Sequence, residues 1–211
     1  MSGDREFELQ LHRLLCTRPN VFGAAGHQFV LNPPLEESVV AGFERGHAVR
    51  LPESYRWFVT AIGDGGAGPG YGVLKLGEMD DDFGYASWRE GDGFVGKLER
   101  PFPFTERWND LSGRPSEELL ERDERAYEAQ LDQFEKGYFA PIDGAIPICH
   151  FGCAIRVWLV VSGSEYGHLW RDDRASDGGW EPISLPDKPR LTFLDWYCRW
   201  VEYALRGEDF T

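Results

Sequence analysis

The chain has 211 residues, and its 36 acidic side chains outnumber 22 basic ones to leave a formal net charge of −14. A surface of that sign repels phosphate backbones and anionic headgroups, which argues against a general nucleic-acid or membrane binder and makes a basic protein partner attractive. The length suits a single domain able to bury roughly 70% of its unfolded surface, so no disulfide staples are needed to fold it.

In chain order, Phe7, Leu11, Leu14 and Leu15 fall at helical spacing and predict a short amphipathic arm over residues 4–16. Asp4, Glu6, Glu8 and Arg13 interrupt any signal-peptide core, and no apolar run is long enough to cross a bilayer. Four scattered cysteines (Cys16, Cys149, Cys153, Cys198) then suit a reducing cytoplasm. Pro19, Gly23, Gly26 and Pro33–Pro34 mark an irregular connector, so residues 1–34 read as an arm and linker ahead of one domain over 35–207. A helix is expected from about Leu35 to Arg45, with Glu36 and Glu37 complementing its dipole.

Residues 51–62 predict a second helix. Pro52 suits its first position, and Tyr55, Phe58, Val59 and Ile62 form one apolar stripe. Gly63 ends it, Gly65 and Gly66 continue into a tight loop, and Tyr71–Leu76 reads as a strand. Residues 80–107 alternate acids and aromatics with Gly and Pro, the pattern of short strands between exposed loops. Ser116–Lys136 predicts one long helix, N-capped by Ser116 and inserted over the sheet. The central stretch, Ala145–Asp173, holds the longest apolar run, Val157–Val161, flanked by antiparallel neighbours; Trp158 and Trp170 are expected in the core. Trp180–Ser184 predicts a last strand. Thr192 with Asp195 resembles a capping box opening a C-terminal helix that stops near Gly207. The class is α+β, an antiparallel or mixed sheet with helices at both ends.

Leu51–Pro52 before an aromatic-rich helix, the Gly63–Gly66 loop, Ile146–Pro147, Gly152, the Val157–Val161 strand, Gly167 with Leu169–Trp170 and the aromatic closing helix together resemble the SUKH superfamily. The resemblance spans about residues 35–205. That superfamily takes in a yeast cell-wall-synthesis regulator and many bacterial immunity proteins. It implies a non-enzymatic protein-binding domain, a monomer or weak dimer, which neutralises a toxin, often a nuclease, by binding it without any cofactor. A regulatory or scaffold module of the same fold is the alternative.

Nuclease clefts are basic because they hold phosphates, so an acidic protein can occupy them as a mimic. The candidate partner-facing acids are Asp80, Asp81, Asp82, Glu90 and Asp92, joined by Asp172, Asp173 and Asp177, with Trp88 as an aromatic anchor. Pro52, Gly65, Gly66, Gly152, Trp158 and Trp170 are read as structural.

Catalytic alternatives are weaker. Cys149, His150 and Cys153 have half the spacing of a zinc site but lack a second ligand pair, and packing explains them better. Cys149 with His168 and Asp172 would make a nucleophile constellation only if the fold united them. The Gly63–Gly70 loop ends a helix instead of opening one and lacks the lysine of a phosphate loop. The Asp80–Asp82 run lacks the spaced ligands of a calcium loop.

Overall fold

The computed structural model describes residues 2–81, 84–87 and 94–210, with the backbone alone for residues 2–5, 80–81 and 84–87. The fold is α+β. Four antiparallel strands form the central sheet in the order β3 (Ala145–Gly152), β4 (Ile155–Val160), β5 (Leu169–Asp172), β6 (Trp180–Pro182). A separate hairpin pairs β1 (Glu78–Asp81) with β2 (Gly84–Ser87). Helices α1 (Ser2–Thr17), α2 (Ala24–His27), α3 (Glu37–Gly46) and α4 (Glu53–Trp57) precede the sheet. The pair α5 (Glu117–Arg122) and α6 (Glu124–Tyr138) is inserted before β3, and α7 (Phe193–Leu205) closes the chain.

Strand alternation gives each sheet face its own partner. Trp158 and Trp170 lie opposite each other on β4 and β5; Trp170 and Trp180 pack against Phe102 and Phe104, and Trp158 against Trp180, ring centroids 5.0 to 6.4 Å apart. On the other side α7 buries Phe193, Trp196, Tyr197, Trp200, Val201 and Ala204. Its outer flank receives Tyr55 and Phe58, whose rings meet Phe193 at 5.0 and 4.9 Å. Each large ring buried this way stabilises by about 2–3 kcal/mol. The capping box is present: Thr192 Oγ1 accepts from the Asp195 amide while Asp195 returns a bond to the Thr192 amide.

Both sheet edges are closed. Tyr71 and Leu74 donate backbone bonds to His150 and Ile148 on β3, and Trp108 exchanges two with Trp180 on β6. Covering edges in this way blocks strand-to-strand aggregation. The N-terminal arm packs into the core, Phe7 touching both Trp57 and Tyr197.

Three local expectations change. Residues 71–76 form only an isolated bridge at Val73, because Gly70 and Gly72 adopt positive φ and turn the chain on either side. The helix over 53–62 relaxes into a π turn at Phe58–Ile62, and Pro52 stands at its N-cap, one residue earlier than expected. The single helix over 116–136 is two, broken at Asp123 (φ −155°), whose carboxylate caps α6 through the Ala126 amide. The C-terminal end of the pair is anchored: Tyr138 stacks on Trp108 and donates to Asn109 Oδ1 at 2.7 Å.

The β3–β4 turn carries a test of its own. Strand β3 runs through His150 to Gly152, and the two-residue turn is Cys153–Ala154, both at positive φ (49° and 59°). A turn of this kind prefers Asn-Gly because a Cβ crowds the backbone at left-handed angles. Cys153→Asn combined with Ala154→Gly is therefore expected to stabilise the protein by about 1 kcal/mol, raising the midpoint of a thermal melt by about 2–4 °C.

His27 offers a second test. Its ring is buried edge-on against Phe29 and Trp200, and its Nδ1 accepts the Phe29 amide at 3.0 Å. Desolvation lowers its pKa to about 4, so folding favours the neutral ring. That contribution is complete above the unfolded value near 6.5 and disappears as pH falls from there towards 4, a loss of about 3 kcal/mol. His27→Asn keeps an acceptor and removes the titration. Urea midpoints of the variant should vary less between pH 6.5 and 4 than those of the parent chain.

Candidate interaction surfaces

Of the acids expected to face a partner, Asp80 and Asp81 lie in β1, paired with Tyr85 and Gly84 in the hairpin. Asp82, Trp88, Glu90 and Asp92 fall outside the described residues.

Asp172 cannot serve as a surface acid. Both it and Arg174 are 3% exposed, and they form a bidentate pair, Nε to Oδ1 at 2.8 Å and Nη2 to Oδ2 at 2.9 Å. The remaining guanidinium nitrogen donates to the carbonyls of Tyr138 and Ala140, and the group lies 5.0 Å from the Trp180 ring centre. Sequence adjacency suggested a run of loop acids. The strand register turns Asp172 inward beside Arg156 and Trp180. Asp173 is half-buried, 3.4 Å from Arg171. Asp177 is exposed and bonded to Arg114.

The structural residues lie where a fold would need them. Trp158 and Trp170 are fully buried. Gly66 adopts φ +101°, and a Cβ there would sit 2.3 Å from the Val30 carbonyl oxygen; Gly65 is equally closed in by the backbone of Val73 and Leu74. Gly152 takes positive φ before the hairpin turn, under the Tyr71 ring. The same glycine loop holds Asp64, whose carboxylate accepts the Leu76 amide at 2.8 Å. Burial pushes its pKa up, partly offset by that bond.

The constellations weighed as catalytic are dispersed. Cys149 is buried with its sulfur 3.1 Å from the Pro69 carbonyl, whereas Cys153 is exposed in the turn. His168 lies 3.4 Å from Glu165, and Asp172 is committed to Arg174. Among the described residues no three His, Cys, Asp or Glu side chains converge as a metal site. No described helix is long and apolar enough to cross a membrane.

Two surfaces emerge instead. The α5–α6 pair projects eight exposed acids, Glu117, Glu118, Glu121, Asp123, Glu124, Glu128, Asp132 and Glu135, against Arg122, Arg125 and Lys136. Their abundance is legible in the sequence, where it reads only as a solvated helix face. The second is a cleft of about 420 Å³ between the sheet and α7, assembled from separated stretches of chain. Nothing local in the sequence announces it.

Comparison with models of protein families, with curated proteins and with solved structures found no match. Function therefore rests on the chemistry of these surfaces.

The buried pair gives a sharp expectation. Arg174→Ala leaves Asp172 charged and unpartnered, which should cost about 3–5 kcal/mol in urea unfolding. Asp177→Asn, at an exposed ion pair, should cost less than about 1 kcal/mol.

Proposed function

We propose that this protein acts by binding another protein, and that its partner is a basic toxin, of the nuclease type, which it neutralises by occupying the cationic cleft. The observation that carries this reading is the projecting α5–α6 pair: eight exposed carboxylates on a two-helix arm anchored mainly at its C-terminal end. The anchoring is firm, through Tyr138 on Trp108 and through Arg174 on the Tyr138 carbonyl. Charges held on a rigid element order little on binding, and less conformational entropy is lost.

The resemblance to SUKH immunity proteins supports the same reading. So does the net charge of −14, which would draw in a cation-lined partner from a distance. A nuclease cleft is cationic because it must bind a phosphate backbone. A rigid array of carboxylates satisfies the same side chains without offering a scissile bond. Asp80 and Asp81, paired in the β1–β2 hairpin, are further candidate contacts in this proposal. Inhibition is then stoichiometric and requires no chemistry from the inhibitor.

The test has a cellular and a kinetic arm. Co-expression with a toxin found in a neighbouring reading frame should restore growth of a cell that the toxin otherwise kills. With the purified pair, changing Glu117, Glu118, Glu121 and Glu128 to Gln should slow association about tenfold at low salt and flatten its dependence on ionic strength, with dissociation little changed. An association rate that these changes leave untouched would remove the arm from the interface.

A further inference from the structure

Helix α7 covers only part of its sheet face. Beyond Trp196 the face stays open, and Ile155 and Val157 of β4 form the floor of the 420 Å³ cleft. Phe22, Phe151 and Phe210 surround its mouth, while Arg171 and Glu181, 3.7 Å apart, close one end. The aromatic surface continues outside: Phe22 stacks on Phe151 (6.3 Å, 16°) and meets Tyr71 at 5.4 Å. Phe22 and Tyr71 remain 37% and 39% exposed.

We infer that this cleft is a docking site for a large apolar side chain, aromatic or aliphatic, carried on a lysine- or arginine-flanked segment of a protein partner. The inference rests on the binding role proposed above and names a second point of contact for it. Three features select this occupant. The volume suits one or two large side chains, and the wall is mostly apolar with a single charged pair at one end, as in sites that anchor a side chain. The exposed shelf of Phe22 and Tyr71 runs past the cavity, which fits a chain crossing the surface better than a compact metabolite enclosed by it. The flanking charge follows from complementarity. The whole chain carries −14, and Asp209 sits at the mouth, where its Oδ1 accepts the Phe22 amide at 2.6 Å. Asp187, two residues beyond Leu185 in the cleft wall, is well exposed beside Arg199, 3.6 Å away.

The test titrates the full chain with acetyl-Lys-Lys-(5-fluoro-Trp)-Lys-Lys-amide, read by ¹⁹F NMR of the peptide. Control peptides replace the indole by alanine or the lysines by glutamate, and their binding is read from the protein amide shifts. The Trp peptide should bind at least tenfold more tightly than its alanine counterpart, shifting amides of Ile155, Val157 and Ile183. At low salt the glutamate-flanked peptide should bind at least tenfold more weakly. Ile155→Gln, chosen as neutral so that added charge does not mimic the effect, should weaken the Trp peptide at least fivefold. Phe22→Ala, at a partly exposed ring and checked for folding by its urea midpoint, should weaken it at least threefold.

Equal binding of the Trp and alanine peptides overturns the proposal, as does equal binding of the lysine- and glutamate-flanked forms, or binding unchanged in both variants. If the cleft fails in this way while the α5–α6 substitutions still slow association, the acidic-arm reading stands alone. If the peptide binds as described but those substitutions change nothing, the cleft stands and the arm falls.

Discussion

The contact on which the rest of the arrangement depends is the buried pair between Asp172 and Arg174. Removing two charges from water costs several kcal/mol for each ion, so such a pair persists only where every donor and acceptor is used. Here all three guanidinium nitrogens are engaged: two on the carboxylate, the third on the Tyr138 and Ala140 carbonyls, with the face towards Trp180. One side chain thus ties the end of α6 to β5 and β6. The junction fixes where the last turn of α6 meets the sheet, and it withdraws Asp172 from the surface altogether.

Aromatic packing does the complementary work on either side of the sheet. The tryptophans of β5 and β6 meet Phe102 and Phe104 on one face, and the other takes the apolar stripe of α7. Because α7 spans only part of that second face, Ile155 and Val157 are left to line a cleft. Tyr197, donating to the Ala67 carbonyl at 2.7 Å from a buried position, fixes α7 to the glycine loop and sets where its coverage stops. Burial raises the phenol pKa, so that donor stays protonated.

The two proposed contact surfaces differ in physical character, and so would their contributions to a complex. Exposed carboxylates act over a Debye length and govern encounter, fading as salt rises. An apolar cleft acts only at contact and governs how slowly a complex separates. Such a division lets rapid capture and long residence be set by separate residues.

Much of the architecture could be read from the residues alone. The 3.6-residue spacing of Phe7, Leu11 and Leu14, the Thr192–Asp195 cap and the β-branched run around Trp158 are local signals, and each element formed where its own periodicity placed it. Gly66 was legible as a turn position from the glycine run that follows the helix, and the structure adds the Val30 carbonyl that excludes any Cβ there. The break at Asp123 was weakly encoded, since an aspartate caps a helix as readily as it sits on one. The fate of each acid, and the cleft itself, were decided by tertiary structure. Asp172 and Asp173 are neighbours in sequence, yet strand alternation sends one into the core and leaves the other half-exposed. The cleft gathers Phe22, Phe151, Ile155, Trp196 and Phe210 from distant parts of the chain, and no local pattern records that they will meet. Charge and periodicity are properties of a sequence, whereas burial and concavity exist only once the chain has closed on itself.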